Sequence, residues 1–135
     1  MSLDKILLVD DEKPHLELLK EVLSIYPEEI SIHTATSGEE ALAFVQRKGP
    51  FAVILSDYKM GGMTGLELLT CAGEIHPSTS RVMISGAMTR GELEKLKEEG
   101  IIHDFLVKPI DIDELIRKTK AGIMAFQGRS GQERS

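Results

Sequence analysis

Three acids, a serine and a lysine stand where apolar runs stop. Asp10 and Asp11 follow Lys5–Val9 (KILLV), and Asp57 follows Phe51–Leu55 (FAVIL) and Ser56. Ser85 closes Arg81–Ser85 (RVMIS), and Lys108 follows Phe105–Val107 (FLV). If those runs are buried strands of one sheet, their ends bring three carboxylates, a hydroxyl and an ammonium to one edge. Three ionised carboxylates in contact repel one another, so either protons are retained or a cation sits among them. Hard oxygen donors without clustered His or Cys favour Mg2+ over Zn2+. Such a site is organised for a phosphoryl group. The cation and Lys108 offset its charge and Ser85 donates a hydrogen bond, and positioning with charge stabilisation carries most of that chemistry.

The elements that must position these residues can be read from the pattern. The apolar runs, with the β-branched Ile30–Thr36 (ISIHTAT), have the length of strands. Between them lie helical segments. Leu16, Leu19, Val22 and Leu23 follow Pro14, a suitable first helical residue. Ser37 is placed to cap a helix over Glu39–Lys48, which Gly49-Pro50 ends, and Thr64 one over Gly65–Ile75. Glu92–Glu99 is short and charged, and Gly100 closes it. Asp111 caps a last helix carrying Ile112, Leu115, Ile116, Ile123 and Phe126. Strands alternating with helices predict an α/β architecture, a doubly wound (βα)5 flavodoxin-like fold. Its five-stranded parallel sheet has the order 2-1-3-4-5, with helices on both faces. Residues 1–127 are expected to form one domain. Residues 128–135, from Gly128 (GRSGQERS), are read as a frayed polar tail or the start of a linker.

Bulk properties exclude several classes. The 135 residues suit one domain, with 41% hydrophobic and 28% charged residues. A net charge of −6 argues against direct nucleic-acid binding, which needs a basic surface. The single cysteine, Cys71, allows no internal disulfide, so a reducing cytoplasm is the expected compartment. No apolar run reaches membrane-spanning length.

The stretches LLVDDE, VILSDYKM, VMISGA and FLVKPID, in that order at the ends of strands one, three, four and five, resemble the receiver family of two-component response regulators. The resemblance covers about residues 4 to 126. It implies that Asp57 is the phosphoacceptor, loaded from the phosphohistidine of a sensor histidine kinase or phosphotransfer protein in a Mg2+-dependent reaction. Asp10, Asp11 and Asp57 would hold the metal, Asp11 more directly than Asp10, with the backbone carbonyl of Lys59 as a further ligand. Ser85 matches the switch hydroxyl, Phe105 the switch aromatic, and Lys108 the lysine before a cis Pro109. The chain would catalyse only its own phosphorylation and dephosphorylation. Its output would pass through the surface of helix 4, strand 5 and helix 5 to a homodimer or an output domain. Two positions depart from the family pattern: Gly61 stands where proline is common, and Phe105 where tyrosine is commoner.

Two other functions compete. Phosphatases of the haloacid-dehalogenase type carry a second Asp two residues after the nucleophile, but Glu12 follows Asp10 at that distance and Lys59 follows Asp57. A receiver-like module independent of phosphate would not need the complete set Asp10, Asp11, Asp57, Ser85 and Lys108. Other features read as structural. Glu12 is a favourable charge at the start of helix 1. His15, His33, His76 and His103 lack metal-ligand spacing. Cys71 packs in a helix, and Gly61-Gly62 is a turn. Phe105 is either core or a moving switch. The apolar stretch Ala121–Phe126 either packs on the sheet or serves a dimer or adjoining domain.

Overall fold

The computed structural model describes residues 3–25 and 30–133. Five strands, β1 (Asp4–Val9), β2 (Ile30–Ala35), β3 (Val53–Asp57), β4 (Ser80–Ser85) and β5 (Asp104–Val107), alternate with five helices. These are α1 (Lys13–Leu23), α2 (Gly38–Lys48), α3 (Gly65–Ile75), α4 (Arg90–Glu98) and α5 (Ile112–Glu133). All strand pairs are parallel, in the order β2-β1-β3-β4-β5. The expected fold is therefore the observed one.

The central stretches of β1, β3 and β4 are continuously apolar because both faces of the sheet are covered. Leu7, Val9, Ile54 and Met83 point to one face, where α2, α3 and α4 supply Ala41, Val45, Leu68, Leu69, Ala72 and Leu93. Ile6, Leu8, Val53, Leu55, Val82 and Ile84 point to the other, against Leu16, Leu19 and Leu23 of α1 and Leu115, Ile123 and Phe126 of α5. This period of two splits each continuous apolar run between two cores. Central β3 and β4 are buried along their whole length, while the edge strand β2 is half-buried except at Ala35.

The expected caps form at three helices. Ser37 Oγ accepts from Glu40 N–H, Thr64 makes a capping box with Glu67, and Asp111 Oδ1 accepts from Glu114 N–H. The fourth helix starts earlier than Glu92, because Thr89 makes a second capping box with Glu92. The T-x-x-E spacing that signals it is present in the sequence. Phe51 and Ala52 lie before β3 rather than in it, yet both are fully buried.

The C-terminal expectation needs correction. The chain does not fray at Gly128; α5 continues to Glu133. Two interior glycines, Gly128 and Gly131, each cost a helix only about 1 kcal/mol, and tertiary bonds offset that. Arg129 Nε donates to the Ser78 carbonyl at 3.1 Å and its Nη2 to Ser80 Oγ at 2.5 Å. The stretch Ala121–Phe126 divides between the two readings: Ile123 and Phe126 join the core, and Met124 is exposed. Residues 1–2 and 134–135, at the expected limits of domain and tail, lie outside the described residues.

Candidate functional site

Asp57 ends β3, the strand flanked by β1 and β4, so its neighbours are the ends of those two strands. The register pairs Asp57 with Ile84, and Tyr58 N–H donates to the Ile84 carbonyl at 2.9 Å, which continues the ladder past the acid. On the other side, Asp10 N–H donates to the Ala35 carbonyl at 3.2 Å. Ligand oxygens of Asp10, Asp11 and Asp57 consequently lie within 4.8 Å of one another. Asp10 and Asp57 are buried, and Asp11 is exposed at the mouth.

Each carboxylate has distinct surroundings. Asp57 Oδ2 accepts from Lys108 Nζ at 3.1 Å. Burial pushes the Asp57 carboxyl above the usual carboxylate range; Lys108 opposes this by hydrogen bond and charge, and the charge of Asp10 adds to it. Asp10 Oδ1 accepts from Glu12 N–H at 2.9 Å, and its Oδ2 is bonded to His15 Nδ1. Asp11 Oδ2 accepts from Gly61 N–H at 3.3 Å, joining the first loop to the loop after the acceptor.

The sequence reading missed His15. It stands one position before Leu16 and four before Leu19, on the flank of the apolar stripe of α1. Helical spacing therefore turned it towards the sheet end, and this was the available signal.

Ser85 and Lys108 meet at the other side of the cluster. Lys108 N–H donates to the Ser85 carbonyl at 3.0 Å, and the Lys108–Pro109 bond is cis. Ser85 Oγ accepts from Ala87 N–H at 3.1 Å and Met88 N–H at 3.0 Å, which leaves its own proton to donate. Lys59 has an exposed side chain on the loop between β3 and α3. Gly65 closes that loop. A Cβ there would lie 2.2 Å from the Asp57 carbonyl oxygen, so only glycine allows the first turn of α3 to approach the acceptor's backbone.

Phe105 lies on β5, three residues before Lys108 and two strands from Asp57. It is 3% exposed, with Arg90 5.6 Å and Lys118 5.1 Å from its ring centre. Lys118 also donates to the Phe105 carbonyl at 2.6 Å and pairs with Asp104 and Glu114. Beside the acid cluster, an apolar groove of about 310 Å³ runs between α1 and the β5–α5 loop. Leu18, Leu19, Ile110 and Ile112 line it, together with His15 and Lys108, the partners of Asp10 and Asp57.

The arrangement is a set of oxygen donors able to hold a metal ion, with the Lys108 ammonium bonded to one of them and Ser85 at the end of the neighbouring strand. The three acids fit a hard divalent cation: their ligand atoms converge, and burial leaves Asp57 in need of more positive charge than Lys108 alone brings.

A family model for the response regulator receiver domain matches residues 6–120. The hydrogenase transcriptional regulatory protein HoxA of Cupriavidus necator is 34% identical over 93% of this chain and 25% of its own length. The crystal structure of an adenylate cyclase from Rhodopirellula baltica superposes with a TM-score of 0.89 at 33% identity, covering 98% of this chain and 96% of that one. A CheY-like response regulator receiver domain protein from Methanospirillum hungatei gives a TM-score of 0.81 at 26% identity, covering 95% and 99%. The chain spans about half the length, or less, of the curated relatives it matches.

Proposed function

This chain belongs to the response regulator receiver domain family, and we propose that Asp57 is its phosphoacceptor, loaded from the phosphohistidine of a sensor histidine kinase or phosphotransfer protein. The observation that carries this reading is the convergence on Asp57 of Lys108, at 3.1 Å, with two further carboxylates. A carboxylate oxygen of Asp57 attacks phosphorus. The P–N bond breaks, its electron pair returns to the donor imidazole, and that ring takes a proton from solvent. The product is an acyl phosphate on Asp57. Lys108 pairs with the phosphoryl oxygens as they approach, and Ser85 donates its free proton to one of them. Asp10, Asp11, Asp57 and the carbonyl of Lys59 would hold Mg2+, which when bound offsets the charge gathered on those oxygens.

The groove between α1 and the β5–α5 loop supports the partner assignment. It is apolar, and Lys108, which bonds Asp57, is among its lining residues, so an amphipathic helix laid in it would lie beside the acceptor. The signal leaves by another route. Ser85 Oγ holds the Ala87 and Met88 amides, and Thr89, the next residue, caps α4. Drawing Ser85 towards a phosphoryl oxygen shifts that turn and the start of α4. Phe105 sits between Arg90 of α4 and Lys118 of α5, and as the switch aromatic it passes the change to that surface. The α4–β5–α5 surface is then the site for a homodimer or an output domain. Among the described residues no helix is long and apolar enough to cross a membrane.

The test is labelling with acetyl phosphate and Mg2+, mapped by mass spectrometry. One phosphoryl group on the peptide containing Asp57, abolished in Asp57→Asn, is expected. Wild-type labelling of Asp57→Asn on another side chain overturns the assignment.

A further inference from the structure

The loop between β3 and α3 carries Gly61 and Gly62, the second at φ +80°, and so has little intrinsic stiffness. It nonetheless carries Lys59, whose carbonyl must stay in place to serve as a ligand. Two carboxylates from outside hold this loop. Asp11 accepts from Gly61 N–H at 3.3 Å, and Glu39 Oε2 accepts from Met63 N–H at 3.1 Å. Asp11 is compromised as a tether, because its carboxylate belongs to the acid cluster and a metal would compete for it. Glu39 is not part of that cluster.

Glu39 is also free of other work on its own helix. In the first turn of α2, Ser37 Oγ caps Glu40 N–H, and Glu40 Oε1 accepts from Thr36 N–H. Glu39 turns instead to the loop. The fit is close: a Cβ at Gly62 would come within 2.9 Å of Glu39 Oε2, and one at Gly38 within 2.8 Å of Met63 Cβ. The two glycines let α2 and the loop approach until the carboxylate reaches the amide.

We propose that Glu39 is a positioning residue for the metal-binding loop, tethering its glycine segment through Met63 N–H so that the Lys59 carbonyl is held ready. This rests on the metal site described above. Asp11 gives up its bond to Gly61 when it turns to a cation, whereas the Glu39 bond persists, so the loop stays anchored with and without metal.

The experiment is an NMR titration of the full chain with Mg2+ alone, together with 15N order parameters for Gly61, Gly62 and Met63 before metal is added. In Glu39→Ala the order parameters fall and Mg2+ binds roughly threefold more weakly, the scale of one exposed charged contact. Glu39→Gln retains an acceptor for Met63 N–H and stays within about twofold of wild type. Adding Gly61→Ala to Glu39→Ala restores part of both readouts, because open space surrounds Gly61 and alanine narrows its backbone freedom. Unchanged order parameters in Glu39→Ala overturn the tether. A loss in Glu39→Gln equal to that in Glu39→Ala also overturns it, since long-range charge would then be the cause. If wild type binds no Mg2+ while the order parameters fall in Glu39→Ala, the tether stands and the metal reading is what fails.

Discussion

Lys108 Nζ lies 3.1 Å from Asp57 Oδ2, across 51 residues of sequence. The lysine is anchored at its base, where its N–H is bonded to the Ser85 carbonyl, so the ammonium is held near the acceptor before any phosphoryl group arrives. Preorganised charge of this kind stabilises a transition state more than a mobile surface lysine does.

Lys108→Met keeps the stem and removes the charge. The rate of labelling by acetyl phosphate should fall by roughly one to two orders of magnitude, the worth of one charge-assisted hydrogen bond. The Asp57 carboxyl should titrate still higher, because the group opposing its burial is gone. A wild-type labelling rate and an unmoved carboxyl titration by 13C NMR would reduce Lys108 to a surface charge.

Gly65→Ala tests the approach of α3 to the acceptor. A methyl group 2.2 Å from the Asp57 carbonyl oxygen forces the backbone apart, at a cost of about 1–3 kcal/mol. Alanine gains about 1 kcal/mol in helix propensity, which offsets only part of that cost. Urea unfolding should show a net loss, and acetyl phosphate labelling should slow as Asp57 is displaced. A more stable variant would show that the two backbones have room to spare.

His103 makes stability depend on pH. Its Nδ1 accepts from Arg81 N–H at 3.0 Å, which requires that nitrogen to be unprotonated. Burial, then the charges of Arg81 and Arg129, lower its pKa from 6.5 to about 4. Between those values the unfolded chain binds the proton more readily than the folded one. The contribution is therefore complete above 6.5 and is lost as pH falls towards 4. Allowing for partial exposure, the loss at about pH 5 is on the order of 1 kcal/mol. His103→Asn retains an acceptor that cannot titrate. Urea midpoints for the two proteins should converge as pH is lowered from neutral, and parallel curves would contradict the assignment.

Much of the site was legible because strand ends are legible. Asp10, Asp11, Asp57, Ser85 and Lys108 each stop an apolar run, and in a parallel sheet all such ends lie on one edge. Ser37, Thr64 and Asp111 declared their helices through local cap chemistry, which acts over three residues and needs no knowledge of the fold. The end of α5 was misread for the converse reason. Polar composition from Gly128 onward suggests fraying, but Arg129 reaches the Ser78 carbonyl some fifty residues earlier in the chain, and no local pattern encodes that bond.

The sequence alone thus determined the alternation of strands and helices and the residues that end each strand, because burial periodicity and local caps are short-range properties of the chain; the strand order came from doubly wound folds of this kind, not from any local pattern. Tertiary structure alone decided how those residues are held. The bond from His15 to Asp10, the grip of Glu39 on Met63 N–H and the seat of Phe105 between Arg90 and Lys118 all join separate elements. Each depends on how two packed elements are set against each other, to within the roughly 3 Å reach of a hydrogen bond, and residue spacing along a single element carries no information about that distance.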